Sequence, residues 1–193
     1  YEHGASCAAI HINILTMRHK DGPQGTEEIS WAEQFEKDQI AQNGYRTQQA
    51  TKPQTLSYAM MDSPVGLAAW ILEKMHGWSD LTQGDLESVY TKDQLLTNIM
   101  VYIVTGTFNT ASWIYYGRRE EGGRILSSEG KRVEVPTGCA LFPEELLAWP
   151  PRSYVDRIYN VTHWTKMPRG GHFAAMEEPD LLVKDIRAFA RSL

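Results

Sequence analysis

Strand-like runs sit only toward the two ends of this chain, and the long middle reads as helix. Near the start, Ala8 to Leu15 (AAIHINIL) is a short apolar run suited to a buried strand, with His11 and Asn13 alternating out of it. Near the end, Arg132 to Pro136 leads into a strand that Gly138 to Phe142 continues, and Arg157 to Trp164 is another candidate. Both ends alternate strand with helix, as a parallel α/β layer does. About three strands are too few for a complete doubly wound sheet, and a parallel sheet with open edges exposes unpaired backbone groups. The expectation is an α/β fold whose parallel sheet is completed by a missing N-terminal half or a partner chain. Its expected parts are a core strand with the end of a preceding helix over 1–16, a mostly helical insertion over 17–120, and the later core over 121–193. Tyr1, with no methionine and no signal peptide, reads as a start part-way through a domain.

Within the middle, Ile29 to Asn43 sets Trp31, Phe35 and Ile40 among charges and predicts an amphipathic helix ended by Gly44. Thr55 to Met61 suits a short helix. Asp62-Ser63-Pro64 supplies a capping side chain and a first-turn proline for a helix over Val65 to Met75. Gly77 to Gly84 is turn-rich. Thr91 or Asp93 caps a further helix that runs through Leu95, Ile99 and Ile103 to Tyr116. Gly122-Gly123 and Gly130 mark a loop. Pro143 opens a short helix that Pro150-Pro151 ends, Pro168 to His172 is a tight loop, and Glu178-Pro179 starts a last helix with Leu181, Leu182, Ile186 and Phe189 on one face.

Charge and composition exclude some functions. The 193 residues are 42% hydrophobic and 22% charged with a net charge of -5, and no basic tract follows a phosphate backbone, so nucleic acid is not an expected partner. No apolar run approaches the roughly 20 residues of a membrane span. Cys7 and Cys139 are too few for a disulfide framework or a metal spacing and read as two small buried hydrophobes, which fits a reducing, cytoplasmic setting. Asn160-Val161-Thr162 matches a glycosylation triplet but falls in an expected buried strand.

Two places could carry chemistry. In Arg169-Gly170-Gly171-His172-Phe173 the glycines let the backbone turn sharply after a strand and set a histidine where it can take a proton from water near neutral pH. The competing reading is a histidine satisfied in a packed turn. Glu144 and Glu145 follow the preceding strand, and either could hold the other imidazole nitrogen. Two acids in a helix's first turn, where the dipole favours them, is the plainer alternative.

VPTGCALFPEELL and MPRGGHFAAMEEPDLLVKDIRAF resemble the end of microsomal-type epoxide hydrolases, and TKPQTLSYAMMDSPVGLAAWILEK and DQLLTNIMVYIVTGTFNTASWIYY resemble their helical middle. The resemblance runs from about Ile10 to the C-terminus. It implies the C-terminal part of an α/β-hydrolase fold with an inserted, mostly helical lid, and it implies no cofactor and no metal. It also implies a reaction. An aspartate opens the epoxide as an ester, a histidine activates the water that hydrolyses it to a vicinal diol, and two lid tyrosines donate hydrogen bonds to the epoxide oxygen. By position, the resemblance puts the base on His172, the orienting acid on Glu145 with Glu144 as its neighbouring alternative, and the phenols on Tyr45 and on Tyr115, with Tyr116 adjacent. Thr47 stands where the family often has a histidine. A tyrosine hydroxyl, with an ordinary pKa of about 10, can donate to a developing alkoxide while staying protonated beforehand, and each such donor is worth a few kcal/mol. Tyr58, Tyr90 and Tyr102 read as packing, as do Trp31, Trp70, Trp78, Trp113 and Trp149 ahead of a cavity-lining role.

The family's nucleophilic aspartate precedes the strand at Ala8 to Leu15, and no aspartate here sits on a tight strand-to-helix turn. The first expectation is therefore an epoxide hydrolase segment whose nucleophile comes from a cleaved half or second subunit, acting on a small-molecule epoxide. The second is a non-catalytic subunit or degenerate relative that binds a small apolar ligand. A serine-dependent esterase is a third, and an acid product rather than a diol would mark it.

Overall fold

The computed structural model describes residues 3–122 and 131–193, so the expected loop glycines Gly123 and Gly130 lie outside the described residues. In chain order a 3-10 turn (Gly4–Ser6) and β1 (Ile10–Ile12) are followed by helices α1 (Gly25–Gln42), α2 (Gly44–Thr51), α3 (Pro53–Asp62), α4 (Pro64–Trp78), α5 (Leu86–Val89), α6 (Lys92–Thr105) and α7 (Phe108–Glu120). Then come β2 (Val133–Leu141), α8 (Arg152–Asp156), β3 (Tyr159–Lys166), α9 (Ala174–Glu177) and α10 (Pro179–Ala190). The chain divides into two compact units. One is built on Tyr1–Glu36, Trp78–Asp80 and Arg124–Leu193, the other on Lys37–Gly77 and Leu81–Gly123.

The first unit carries a three-stranded sheet in the order β1-β2-β3. Every pairing is parallel, with Ile10 opposite Thr137 and Thr137 opposite Val161. β2 is central, and its run from Thr137 to Ala140 is buried without alternation, as a strand covered on both faces must be. Leu15, Cys139, Tyr154, Val155, Ile158 and Val161 form one core, with Trp31, Trp149 and Trp164 packed against it. Ala140, Phe142, Met167 and Ala174 form another with Leu181 and Leu182. α10 lies so close to β2 that a Cβ on Gly138 would sit 3.0 Å from the Phe189 ring.

Several expectations are corrected here. The first strand is only Ile10–Ile12, the three residues that pair with β2. No helix opens at Pro143. The Glu144 N–H instead donates to the Gly170 carbonyl, bridging this segment to the loop before α9, and the helix comes after the proline pair, as α8. On α10 Ile186 is exposed, while Asp185 turns inward and accepts from His11 and His163, at 2.8 Å each. Cys7 is exposed and only Cys139 is buried.

Residues 17–36 and 78–80, expected with the helical insertion, group with the sheet. The start of α1 is fastened there by charge: the buried Glu28 carboxylate accepts from Gln24 N–H, the Ser153 hydroxyl and Arg157. Burial opposes that charge, but these three donors prevail and hold the Glu28 carboxyl below its ordinary range. Trp31 adds a hydrogen bond from its indole to the Ala148 carbonyl, 3.0 Å.

The second unit is helical. Leu67, Ile99 and Phe108 form its core with Leu56, Trp70, Ile71 and Tyr102. Thr91 and Gln94 close a reciprocal capping box at the start of α6. The helix expected to run on to Tyr116 breaks at Gly106, whose φ of 64° is a left-handed cap, and α7 restarts at Phe108. Gly44 is likewise the first residue of α2 rather than a plain stop, α2 starting two residues after α1 ends. Ser63 accepts from Gly66 N–H at 3.0 Å at the start of α4. No described helix is long and apolar enough to cross a membrane.

Candidate active site

The loop between β3 and α9 presents a histidine through two glycines that nothing else could replace. Gly170 has φ of 104°, and a Cβ there would lie 2.7 Å from the Phe142 ring. A Cβ on Gly171 would lie 2.6 Å from the Trp78 carbonyl oxygen. His172 follows, its N–H donating to that same carbonyl at 2.8 Å. The Trp78 ring meets the imidazole edge-on at 5.2 Å between centroids, and Phe173 flanks it at 5.1 Å.

His172 Nδ1 lies 2.7 Å from Glu145 Oε1. The Glu145 side chain is 1% exposed and that of His172 is 24%. A carboxylate oxygen accepts, so Nδ1–H is the donor of this bond and Nε2 takes no part in it. Glu145 Oε1 also accepts from Leu147 N–H at 3.1 Å, while Oε2 is buried with no partner among the described residues. Glu144, the neighbouring alternative, is exposed and uses its backbone rather than its side chain toward this loop. The pair is therefore Glu145 with His172, the arrangement of an oriented general base.

The tyrosines singled out from the sequence belong to the helical unit. Tyr45 in α2 and Tyr115 in α7 meet edge to face, centroids 5.8 Å apart at 82°. Arg119 ties the two helices further by donating to the Ala50 carbonyl, and Ser57 of α3 meets Ser112 of α7 at 3.2 Å in the interior. Tyr116 packs instead on Trp113. Lys74 Nζ lies 4.9 Å from the Tyr45 ring centroid and pairs with Glu73. Tyr45, Leu56, Trp70, Glu73 and Lys74 line a cavity of about 490 Å³ within this unit. Tyr90 is buried and Tyr58 is exposed.

Sequence reasoning missed Glu177 and Asp80, whose carboxylates accept backbone N–H groups along the histidine loop. Glu177 lay hidden in a Glu-Glu-Pro run that reads as a helix start, and Asp80 is far off in sequence.

Known proteins are similar to this chain in sequence and in the arrangement of its elements. Epoxide hydrolase 1 of Sus scrofa is 44% identical over 155 residues, 78% of this chain and 34% of that protein. A putative epoxide hydrolase of Stigmatella aurantiaca is 37% identical over 98% of this chain and 42% of its own length. Among solved structures, the juvenile hormone epoxide hydrolase of Bombyx mori superposes with a TM-score of 0.82 at 26% identity, covering 96% of this chain and 49% of that one. The chain is homologous to the C-terminal part of epoxide hydrolases.

The epoxide hydrolase of Aspergillus niger agrees, with a TM-score of 0.79 at 27% identity over 97% of this chain. The parallel sheet and its helices are accordingly part of the α/β-hydrolase fold that these epoxide hydrolases share. No protein-family model matches the chain. It spans about a third to two fifths of the curated epoxide hydrolases it matches and about half of the solved ones.

Proposed function

We propose that this chain carries the water-activating part of an epoxide hydrolase, with His172 as general base and Glu145 as its orienting acid. The observation that supports this reading most is the 2.7 Å contact from Glu145 Oε1 to Nδ1, which leaves Nε2 out of the bond. In the proposed reaction an aspartate from sequence outside these residues attacks an epoxide carbon, forming an ester C–O bond and breaking the ring C–O bond. Tyr45 and Tyr115 donate to the oxygen that leaves the carbon. Their role rests on the resemblance and on the aromatic packing that fixes both rings. His172 Nε2 then takes a proton from water as the water attacks the ester carbonyl. Glu145 stabilises the imidazolium so formed; as the adduct collapses, the proton taken from water is passed on to the alkoxide oxygen, so a vicinal diol leaves and both the imidazole and the carboxylate are restored.

The test uses the natural polypeptide that carries these residues, with styrene oxide as substrate. His172→Ala is expected to lower steady-state diol formation roughly 10³-fold, in line with loss of a positioned base, and to leave a covalent adduct heavier by one epoxide in intact mass. Turnover at the wild-type rate, or loss of turnover with no adduct, would overturn the assignment of His172.

A further inference from the structure

Four consecutive backbone N–H groups around His172 each have an acceptor brought from elsewhere in the same unit. Gly170 N–H donates to Asp80 Oδ2 at 2.8 Å, and Gly171 N–H to Glu177 Oε2 at 2.9 Å. His172 N–H donates to the Trp78 carbonyl, and Phe173 N–H to Glu177 Oε1 at 2.8 Å. Glu177 Oε2 also accepts from Asp80 N–H at 2.8 Å. One carboxylate thus grips the amides on both sides of the histidine and fastens the Trp78–Asp80 strip to them.

We propose that Glu177 is a positioning residue for His172, a two-oxygen clamp that sets the imidazole against Glu145. This rests on the reading of His172 as the base that hydrolyses the ester. The chemistry requires a carboxylate. Three N–H donors converge on the two oxygens of Glu177, and a glutamine would turn an NH₂ group, a donor, toward at least one of them. The packing requires the same geometry from the other side. A Cβ on Gly171 would fall 2.9 Å from Asp80 N and 3.1 Å from Glu177 Oε2, so the clamp closes only over glycine. The adjacent Glu178 makes no such set of contacts: it turns away and forks the Arg169 guanidinium instead. Because the clamp acts through the imidazole, it bears on the step that uses the imidazole. Hydrolysis of the ester depends on it, and formation of the ester does not.

Glu177→Gln in the natural polypeptide separates those steps. With styrene oxide under rapid mixing, the rate constant for ester hydrolysis is expected to fall roughly 10- to 100-fold, the cost of a misplacement on the order of 1 Å, while ester formation stays within about twofold. Adduct then accumulates in intact mass. A merely structural role would lower the active fraction and slow both steps alike. Glu178→Gln serves as the neighbouring control and is expected to change neither. Ester hydrolysis at the wild-type rate in Glu177→Gln, or equal slowing of both steps, overturns the clamp. His172→Ala in the same assay keeps the two readings apart: if it traps no adduct, the base assignment has failed, whereas trapping there with normal hydrolysis in Glu177→Gln refutes only the clamp. Should Glu177→Gln not fold, amide exchange in the unaltered protein decides. The Gly171, Phe173 and Asp80 amides are expected to exchange on the order of 100-fold more slowly than unstructured ones, and free exchange overturns the proposal.

Discussion

The two units hold their polar groups by different means. In the sheet unit the buried polar side chains include carboxylates, Glu28, Glu145 and Asp185, each receiving hydrogen bonds. In the helical unit the buried polar residues among those described are neutral: Gln39, Gln49, Ser57 and Ser112. A buried carboxylate is tolerated only where donors converge on it, and once it is satisfied its geometry is stiff and its charge is strong. Buried hydroxyls and edge-packed rings fix position with little field. The lesson is a division of labour. The unit that carries His172 concentrates buried carboxylates, and the unit with Tyr45 and Tyr115 holds those two rings by edge-to-face packing.

The largest expected effect breaks that division at its most charged point. Glu145→Gln removes the carboxylate beside Nδ1 while keeping size. The amide can accept from Nδ1–H through its oxygen, but it supplies no charge for the imidazolium, and its NH₂ competes for the imidazole lone pair. Diol formation is expected to fall roughly 10³-fold or more, by analogy with replacing the carboxylate of a catalytic triad, with adduct building up as for His172→Ala. Retention of more than a tenth of the activity would show that buried charge is not what this unit supplies.

Next in size are Tyr45→Phe and Tyr115→Phe. Each keeps the ring that packs at 5.8 Å and removes one hydroxyl. Each is expected to slow ester formation roughly 100-fold, the scale for one lost donor to a developing oxyanion, and to leave ester hydrolysis and the melting temperature nearly unchanged. That is the mirror image of Glu145→Gln. If a phenylalanine slows hydrolysis instead, the phenols do not serve ring opening and the division of roles between the units is wrong.

Much of this was legible in the chain and some was not. The glycine pair before His172 announced a turn because only glycine takes such a backbone, and the structure puts a left-handed φ at Gly170. An apolar run announced β2 because a central parallel strand is buried on both faces. The break at Gly106 was not legible, since an isolated glycine inside a helical stretch is also compatible with its continuing. Nor was the missing helix at Pro143: its acids look like first-turn residues, yet Glu145 is spent on His172, 27 positions away. The inward Asp185 was hidden by the same cause. Its partners His11 and His163 come from β1 and β3, and no local pattern reports a contact between elements so distant in sequence.

Asp185 gives the smallest effect and the finest test of the comparison. Burial opposes its charge, but bonds from Thr165, His163 and His11, with the attraction of His163, outweigh burial and hold its carboxyl below the ordinary value. A carboxyl whose folded pKa is depressed contributes stability above its unfolded pKa of about 3.9, and that contribution fades as pH falls through the lower folded value. Asp185→Asn is therefore expected to cost about 2 kcal/mol near neutral pH, the scale of hydrogen bonds to a charged group, with the gap to the unaltered protein closing below about pH 4. Ser57→Ala is the counterpart in the helical unit. It removes the 2.8 Å bond to the Pro53 carbonyl and the contact with Ser112, at a cost of about 1 kcal/mol that does not vary with pH, since no charge is involved. Denaturant unfolding of both variants from pH 7 to pH 3 distinguishes the two kinds of interior. A gap for Asp185→Asn that stays constant to pH 3 would mean that the carboxylate's charge contributes nothing there, and the contrast between the units would reduce to packing alone.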